Sequence, residues 1–138
     1  MITMTEIFNE ITSNGGLTPS RKVKEIAERF PEKIAFRKKE FGIWHQISYK
    51  DFWNQTQFVG HALKFYGVDV KDKVAIHSEN RPEWIISDIA IQAIQSITVG
   101  LYPTNPSSEV KYLLSHSESK ILFAEDQEQV DRSEERRV

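Results

Sequence analysis

Three short apolar runs, beginning near Val74, Thr98 and Ile121, divide the middle of this chain at nearly even intervals. Each run goes with a loop rich in Pro, Asn or Ser and a segment of helical period. The rhythm is strand, helix, strand, helix, strand, and βαβαβ units of this kind build a parallel sheet. Open parallel sheets take ligands at the carboxyl ends of their strands. The loops after the three runs are therefore the first places to look for chemistry.

The flanking pattern fills in the rest. Ile7, Phe8 and Ile11 form one apolar turn, closed by Asn14-Gly15-Gly16. A helix follows, with Thr18 as cap, Pro19 in its first position, and Val23, Ile26, Ala27 and Phe30 on one face. Arg21 and Glu25 are placed to pair on its outside, and Pro31 stops it. Lys33 to Lys39 and Ile43 to Ser48 alternate as two strands joined through Glu40-Phe41-Gly42. Ser48 and Asp51 have capping-box spacing before a longer helix striped by Phe52, Thr56, Val59, Leu63 and Tyr66, and Gly67 ends it.

The helix expected from Pro82 is apolar nearly all round, with Asp88 and Gln92 as exceptions, so it belongs between other elements. Asn105 as cap and Pro106 as first residue open a third helix, with Val110, Leu113 and Leu114 inward. From Glu125 onward the chain is charged and poor in apolar residues, and it reads as a solvated, frayed end. The expected fold is α/β: a partial parallel sheet of the doubly wound type, preceded by an N-terminal helix and a β-hairpin. The expected division is an N-terminal segment over 1–17, one domain portion over 18–130 and a charged tail over 131–138.

Composition narrows the function. Apolar residues at 39% and charged residues at 28% suit a folded globular chain. A net charge of −2 gives no electrostatic case for nucleic acid. There is no cysteine, hence no disulfide and no thiolate metal site, which fits a reducing cytoplasm. No apolar run approaches the roughly 20 residues that span a bilayer.

His77-Ser78-Glu79-Asn80-Arg81, Tyr102-Pro103-Thr104-Asn105 and Glu125-Asp126 follow the three strands. Two readings stand side by side. In one, Glu79, Asn80, Arg81, Tyr102 and Thr104 rim a binding cleft, Arg81 meeting an anion. In the other, Asn, Pro and Thr are turn and cap residues and Arg81 pairs with a carboxylate; turn chemistry accounts for most of these letters. Glu125-Asp126 reads as solvated surface. His45, His61, His77 and His116 lie far apart, and His77 with Glu79 lacks the cysteines a zinc deaminase site would need. No glycine-rich phosphate loop and no nucleophile elbow occurs. No catalytic, cofactor-binding or metal-ligating residue is assigned.

Four strings carry a resemblance. Ile47-Ser48-Tyr49-Lys50-Asp51-Phe52, Ser78-Glu79-Asn80-Arg81-Pro82-Glu83-Trp84, Thr98-Val99-Gly100-Leu101-Tyr102-Pro103-Thr104-Asn105 and Lys120-Ile121-Leu122-Phe123-Ala124-Glu125-Asp126 occur in this order. Together they resemble the N-terminal part of AMP-forming acyl-CoA synthetases, adenylate-forming enzymes, above all the long-chain fatty acid branch. The resemblance implies ATP-dependent acyl-adenylate formation and transfer to coenzyme A, with ATP, Mg²⁺ and coenzyme A as cofactors and a fatty acid as substrate. It also implies a cytoplasmic enzyme that contacts membranes peripherally. The phosphate loop, the ribose-binding Asp, the Mg²⁺-associated Glu and the catalytic Lys of that family have no counterpart in these residues. The chain is thus expected to be inactive alone and to bind no cofactor. Gln95 stands where the family usually has Gly, which calls for a different helix stop. The alternatives are a non-functional truncation product and a stand-alone α/β binding or interaction module, which would melt cooperatively where a fragment would expose apolar surface.

Overall fold

The computed structural model describes residues 18–134. The apolar turn around Ile7, Phe8 and Ile11, its Asn14-Gly15-Gly16 stop and the final residues 135–138 lie outside them. The elements in chain order are α1 (Pro19–Arg29), β1 (Ile34–Glu40), β2 (Ile43–Ser48), α2 (Tyr49–Phe65), β3 (Lys73–His77), α3 (Pro82–Ala93), β4 (Ile97–Leu101), α4 (Ser107–Ser117), β5 (Ile121–Ala124) and α5 (Gln127–Glu134). β1 and β2 form an antiparallel hairpin, and β3, β4 and β5 form a parallel sheet in the order β4-β3-β5. The fold is α/β, as the rhythm of the apolar runs requires.

Strand alternation gives the sheet two apolar faces. Val74 and Ile76 of β3 meet Leu63 and Ile91, with Ile121 and Phe123 of β5 packed beside them. Ala75 between them faces the other way, with Leu101, Val110 and Leu114. Helices α2 and α3 therefore cover one face and α4 the other. β3 is buried along nearly its whole length, and Val74, Ala75 and Ile76 are at most 1% exposed. A third cluster of Phe52, Ile86 and Ile89, lined by Val23, Ala35, Phe36 and Ile47, ties α1 and the hairpin to α2 and α3. Phe36 meets Phe52 edge to face at 4.8 Å.

Local chemistry sets the boundaries. The Thr18 hydroxyl accepts the Arg21 N–H at 3.3 Å, and Pro19 occupies the first turn of α1. Ser48 accepts the Asp51 N–H at 3.1 Å, but the return bond differs from a capping box. The Ser48 hydroxyl donates to the Asp51 carboxylate at 2.8 Å. At the end of α2, Gly67 has φ 85°, its N–H reaches the Lys64 carbonyl, and the Val68 N–H reaches Leu63. That is the Schellman arrangement. Helix α3 ends in the same way: Gln95 N–H to Gln92 and Ser96 N–H to Ile91, with Gln95 at φ 63°. No different stop is used. Gln95 itself takes the left-handed conformation that glycine adopts without steric cost.

Other expectations are corrected. Glu25 pairs with Lys22 and Arg29, both at 3.1 Å, and not with Arg21. Phe30 and Tyr66 fall just past the ends of their helices and are exposed instead of inward. Helix α4 starts one residue later than expected: Pro106 is the cap residue, and the Asn105 amide donates to the Glu109 carboxylate at 2.5 Å. Within the charged end, residues 127–134 are helical, not frayed. The Asp126 carboxylate accepts the Gln129 N–H at 3.0 Å, and the Gln129 side chain accepts the Glu125 N–H at 2.9 Å. Reciprocal capping of this kind lets a polar sequence start a helix.

Candidate functional site

β4 and β5 lie on opposite sides of β3, so the chain reverses direction across the sheet at β3. In open parallel sheets the crevice for ligands opens at such a switch point, outside the carboxyl ends of the strands. A cavity of about 510 Å³ lies there. Glu79 and Asn80 line it from the loop after β3, and Tyr102 and Thr104 from the loop after β4. Ser78, Trp84, Gly100, Leu101 and Pro103 complete the wall, and none of them is among the rim residues named from the sequence. Gly100 carries a signal that could have found it, since an isolated glycine in a strand marks a close approach. A Cβ on Gly100 would sit 3.5 Å from the Trp84 ring. Gly100 and Trp84 thus lie side by side in the cavity wall.

Arg81 is turned away from this wall. Its guanidinium bonds Glu125 at 2.7 Å and Glu83 at 2.9 Å. The carboxylate-paired reading is the one the structure shows. Glu125 is correspondingly not solvated surface: its second oxygen accepts the Glu79 N–H at 2.7 Å. The Glu79 N–H, with the Arg81 charge, holds the Glu125 carboxyl below its ordinary range. Arg81, with a smaller contribution from Lys38 on the hairpin strand β1, does the same for Glu83 in α3. This lattice fastens the loop after β3 to the end of β5. On the other side, the buried His77 ring bonds the Tyr102 carbonyl through Nε2 at 3.1 Å. A carbonyl only accepts, so Nε2 carries the proton. His77 thereby holds the loop after β4 against β3.

The cavity wall mixes polar side chains, Ser78, Glu79, Asn80, Tyr102 and Thr104, with the apolar Trp84, Leu101 and Pro103. Its flanking guanidinium is already matched by two carboxylates. Among the described residues, no group of three or more His, Asp or Glu is placed to hold a metal ion. Tyr112 and His116 stack at 5.4 Å on the outside of α4, while His45 and His61 are exposed.

The model of the AMP-binding enzyme family matches residues 23–138. The chain belongs to the AMP-binding enzyme family. Its relatives in this family include the long-chain-fatty-acid–CoA ligase FadD15 of Mycobacterium bovis, 34% identical over 95 residues, which covers 69% of this chain and 16% of the relative. A long-chain-fatty-acid–CoA ligase of Xenopus laevis, ACSBG2, is 24% identical over 90% of the chain and 17% of its own length. The chain thus spans about one sixth of the length of these family members, in their N-terminal part. Among solved structures, a long-chain-fatty-acid CoA ligase candidate from Rhodopseudomonas palustris superposes with a TM-score of 0.76 at 22% identity, over 87% of this chain and 29% of that one. The N-terminal subdomain of Klebsiella oxytoca NpsA, in complex with 3-hydroxyanthranilyl-AMSN, gives 0.70 at 24% identity, over 79% and 27%. At these identities the structures attest the AMP-binding family's fold. No helix among the described residues is long and apolar enough to cross a membrane.

Proposed function

We propose that residues 18–130 form one wall of the ligand cleft of an acyl-CoA synthetase that activates long-chain fatty acids. What carries this reading is the coincidence of the cavity at the β3 switch point with the family's matched segment. The naming of the relatives as long-chain-fatty-acid–CoA ligases supplies the substrate class. Glu79, Asn80, Tyr102 and Thr104 are the rim residues of that wall; Arg81 is a strut that sets their positions through Glu125. Trp84 and the side-chain-free Gly100 offer a flat apolar surface to a ligand. ATP, Mg²⁺ and coenzyme A are cofactors of the complete reaction. The 138 residues do not catalyse it, because they hold no phosphate-cradling loop and Arg81, in the loop after β3, is neutralised by carboxylates.

The decisive measurement is ATP–pyrophosphate exchange by the purified 138-residue chain, with and without a long-chain fatty acid. The expected rate equals that of buffer. Exchange that depends on the added fatty acid would show that this wall carries catalytic groups of its own.

A further inference from the structure

A second cavity, of about 310 Å³, lies away from the strand ends. It is a furrow between α2 and the end of α3, with Trp53, Thr56 and Gly60 on one side and Ala93 and Ile94 on the other. The two helices come close there: a Cβ on Gly60 would sit 3.5 Å from the Ile94 side chain. The Thr56 hydroxyl donates to the Phe52 carbonyl of its own helix at 2.8 Å, so this wall asks no hydrogen bond of a ligand. His61 and Lys64 are exposed at the rim, where Lys64 meets the exposed Asp69 at 3.6 Å.

Helix α1 lies in the same furrow. It packs against both α2 and α3, with Val23 on Phe52, Ile86 and Ile89. It ends beside the start of α2, where the Lys50 N–H bonds the Pro31 carbonyl at 3.0 Å. Its first residue is therefore directed up the furrow, towards the part that α1 leaves open. At helical spacing the row of Phe52 continues as Thr56 and Gly60, and that of Ile86 and Ile89 as Ala93. The cavity thus prolongs the seat that α1 occupies.

Residues 1–17 lead into α1 at that end. Among them Met4, Ile7, Phe8 and Ile11 have the i, i+3, i+4, i+7 spacing of a segment that anchors in a groove as a helix. Thr3 and Glu6 stand at capping-box spacing ahead of Ile7. Residues 12–17 separate Ile11 from Thr18 and extend to about 20 Å, so the stripe is within reach of the furrow. Residues 1–17 hold Glu6 and Glu10 and no Lys, Arg or His, which complements a rim carrying His61 and Lys64. The family model matches from Val23 onward, so the stripe lies outside the matched family pattern.

We propose that residues 4–11 bind the furrow between α2 and α3 as an intramolecular ligand, the stripe of Met4, Ile7, Phe8 and Ile11 packing beside Trp53 and over Gly60. The proposal does not rest on the cleft's ligand.

The chain has no cysteine, so an introduced pair reports proximity without interference. In the full 138-residue chain, Phe8→Cys is combined either with Gln57→Cys, in the furrow wall, or with Gln55→Cys, on the opposite side of α2. Gln55 and Gln57 are both exposed, so both pairs should fold. In air the Gln57→Cys pair should close a disulfide within one chain at least about tenfold faster than the Gln55→Cys pair. In a Trp44→Phe, Trp84→Phe background, Phe8→Asp should raise the acrylamide quenching of Trp53. Equal rates for the two pairs, disulfides formed chiefly between chains, or Trp53 quenching unchanged by Phe8→Asp would each overturn the proposal.

Discussion

The two ends of the parallel sheet are closed by different materials. At the carboxyl end the joints are made largely by side chains: Arg81 to Glu125, Glu125 to the Glu79 N–H, and His77 to the Tyr102 carbonyl. At the amino end they are made mainly by backbone. Lys71 N–H reaches the Gln95 carbonyl at 2.8 Å, Ile97 N–H reaches Asp72 at 2.8 Å, and Lys120 N–H reaches Lys73 at 2.9 Å. Backbone joints tolerate almost any side chain, which is how Gln95 can stand where a glycine would serve. Side-chain joints depend on particular residues, and they can be rearranged by a ligand without breaking the sheet. The cavity lies at the end held by the replaceable joints.

The largest expected effect tests what the two ends share. Ile76→Ala empties a fully buried site between the faces of α2 and α3 and should cost about 3–4 kcal/mol. Urea denaturation should show the loss, and amide exchange should speed up at both ends together. A loss confined to one end would mean that the sheet is not one cooperative unit.

Glu125→Gln separates the ends. It removes a charged partner from Arg81 and the acceptor charge facing the Glu79 N–H, for about 1–2 kcal/mol. Exchange of the Glu79 amide should rise while that of Ser96 stays unchanged. The pH dependence follows from the lowered value of Glu125 in the folded chain. Its stabilisation is complete above the ordinary glutamate value of about 4.3 and is lost as the pH falls through the lowered folded value. Wild type and variant should therefore converge in acid and stand fully apart by about pH 5. Parallel curves would remove Glu125 from the account.

The smallest effect has the opposite sign. Gln95→Gly should raise stability by up to about 1 kcal/mol, because glycine adopts the left-handed stop freely. Gly67→Ala, at the matching position of α2, should lower it by about the same amount. A destabilised Gln95→Gly would mean that the glutamine side chain makes up for its own strain.

What could be read from the residues follows the range of the interactions. The strands, the long helices and the Gly67 stop depend on neighbours within a few positions, and the period of Val74, Ala75 and Ile76 is enough to place β3. The Asp126–Gln129 cap was also within reach, but the scarcity of apolar residues after Glu125 hides it. Arg81 and Glu125 are 44 positions apart, and nothing local tells a paired guanidinium from one waiting for an anion. Phe30 and Tyr66 show a related limit. A helical stripe predicts an inward face only while the helix lasts, and both residues sit one step beyond. For the cavity, the rim on the two loops follows from the parallel topology, whereas Trp84 enters it from a helix whose apolar residues point every way.

The order β4-β3-β5 has a consequence for growth. Among the described residues the middle strand has a partner on both sides, while each flanking strand has one and turns its other ladder of amides and carbonyls outward. New strands can therefore be appended on either margin, as bricks are added to a course, without reopening the centre or moving the crevice beside it.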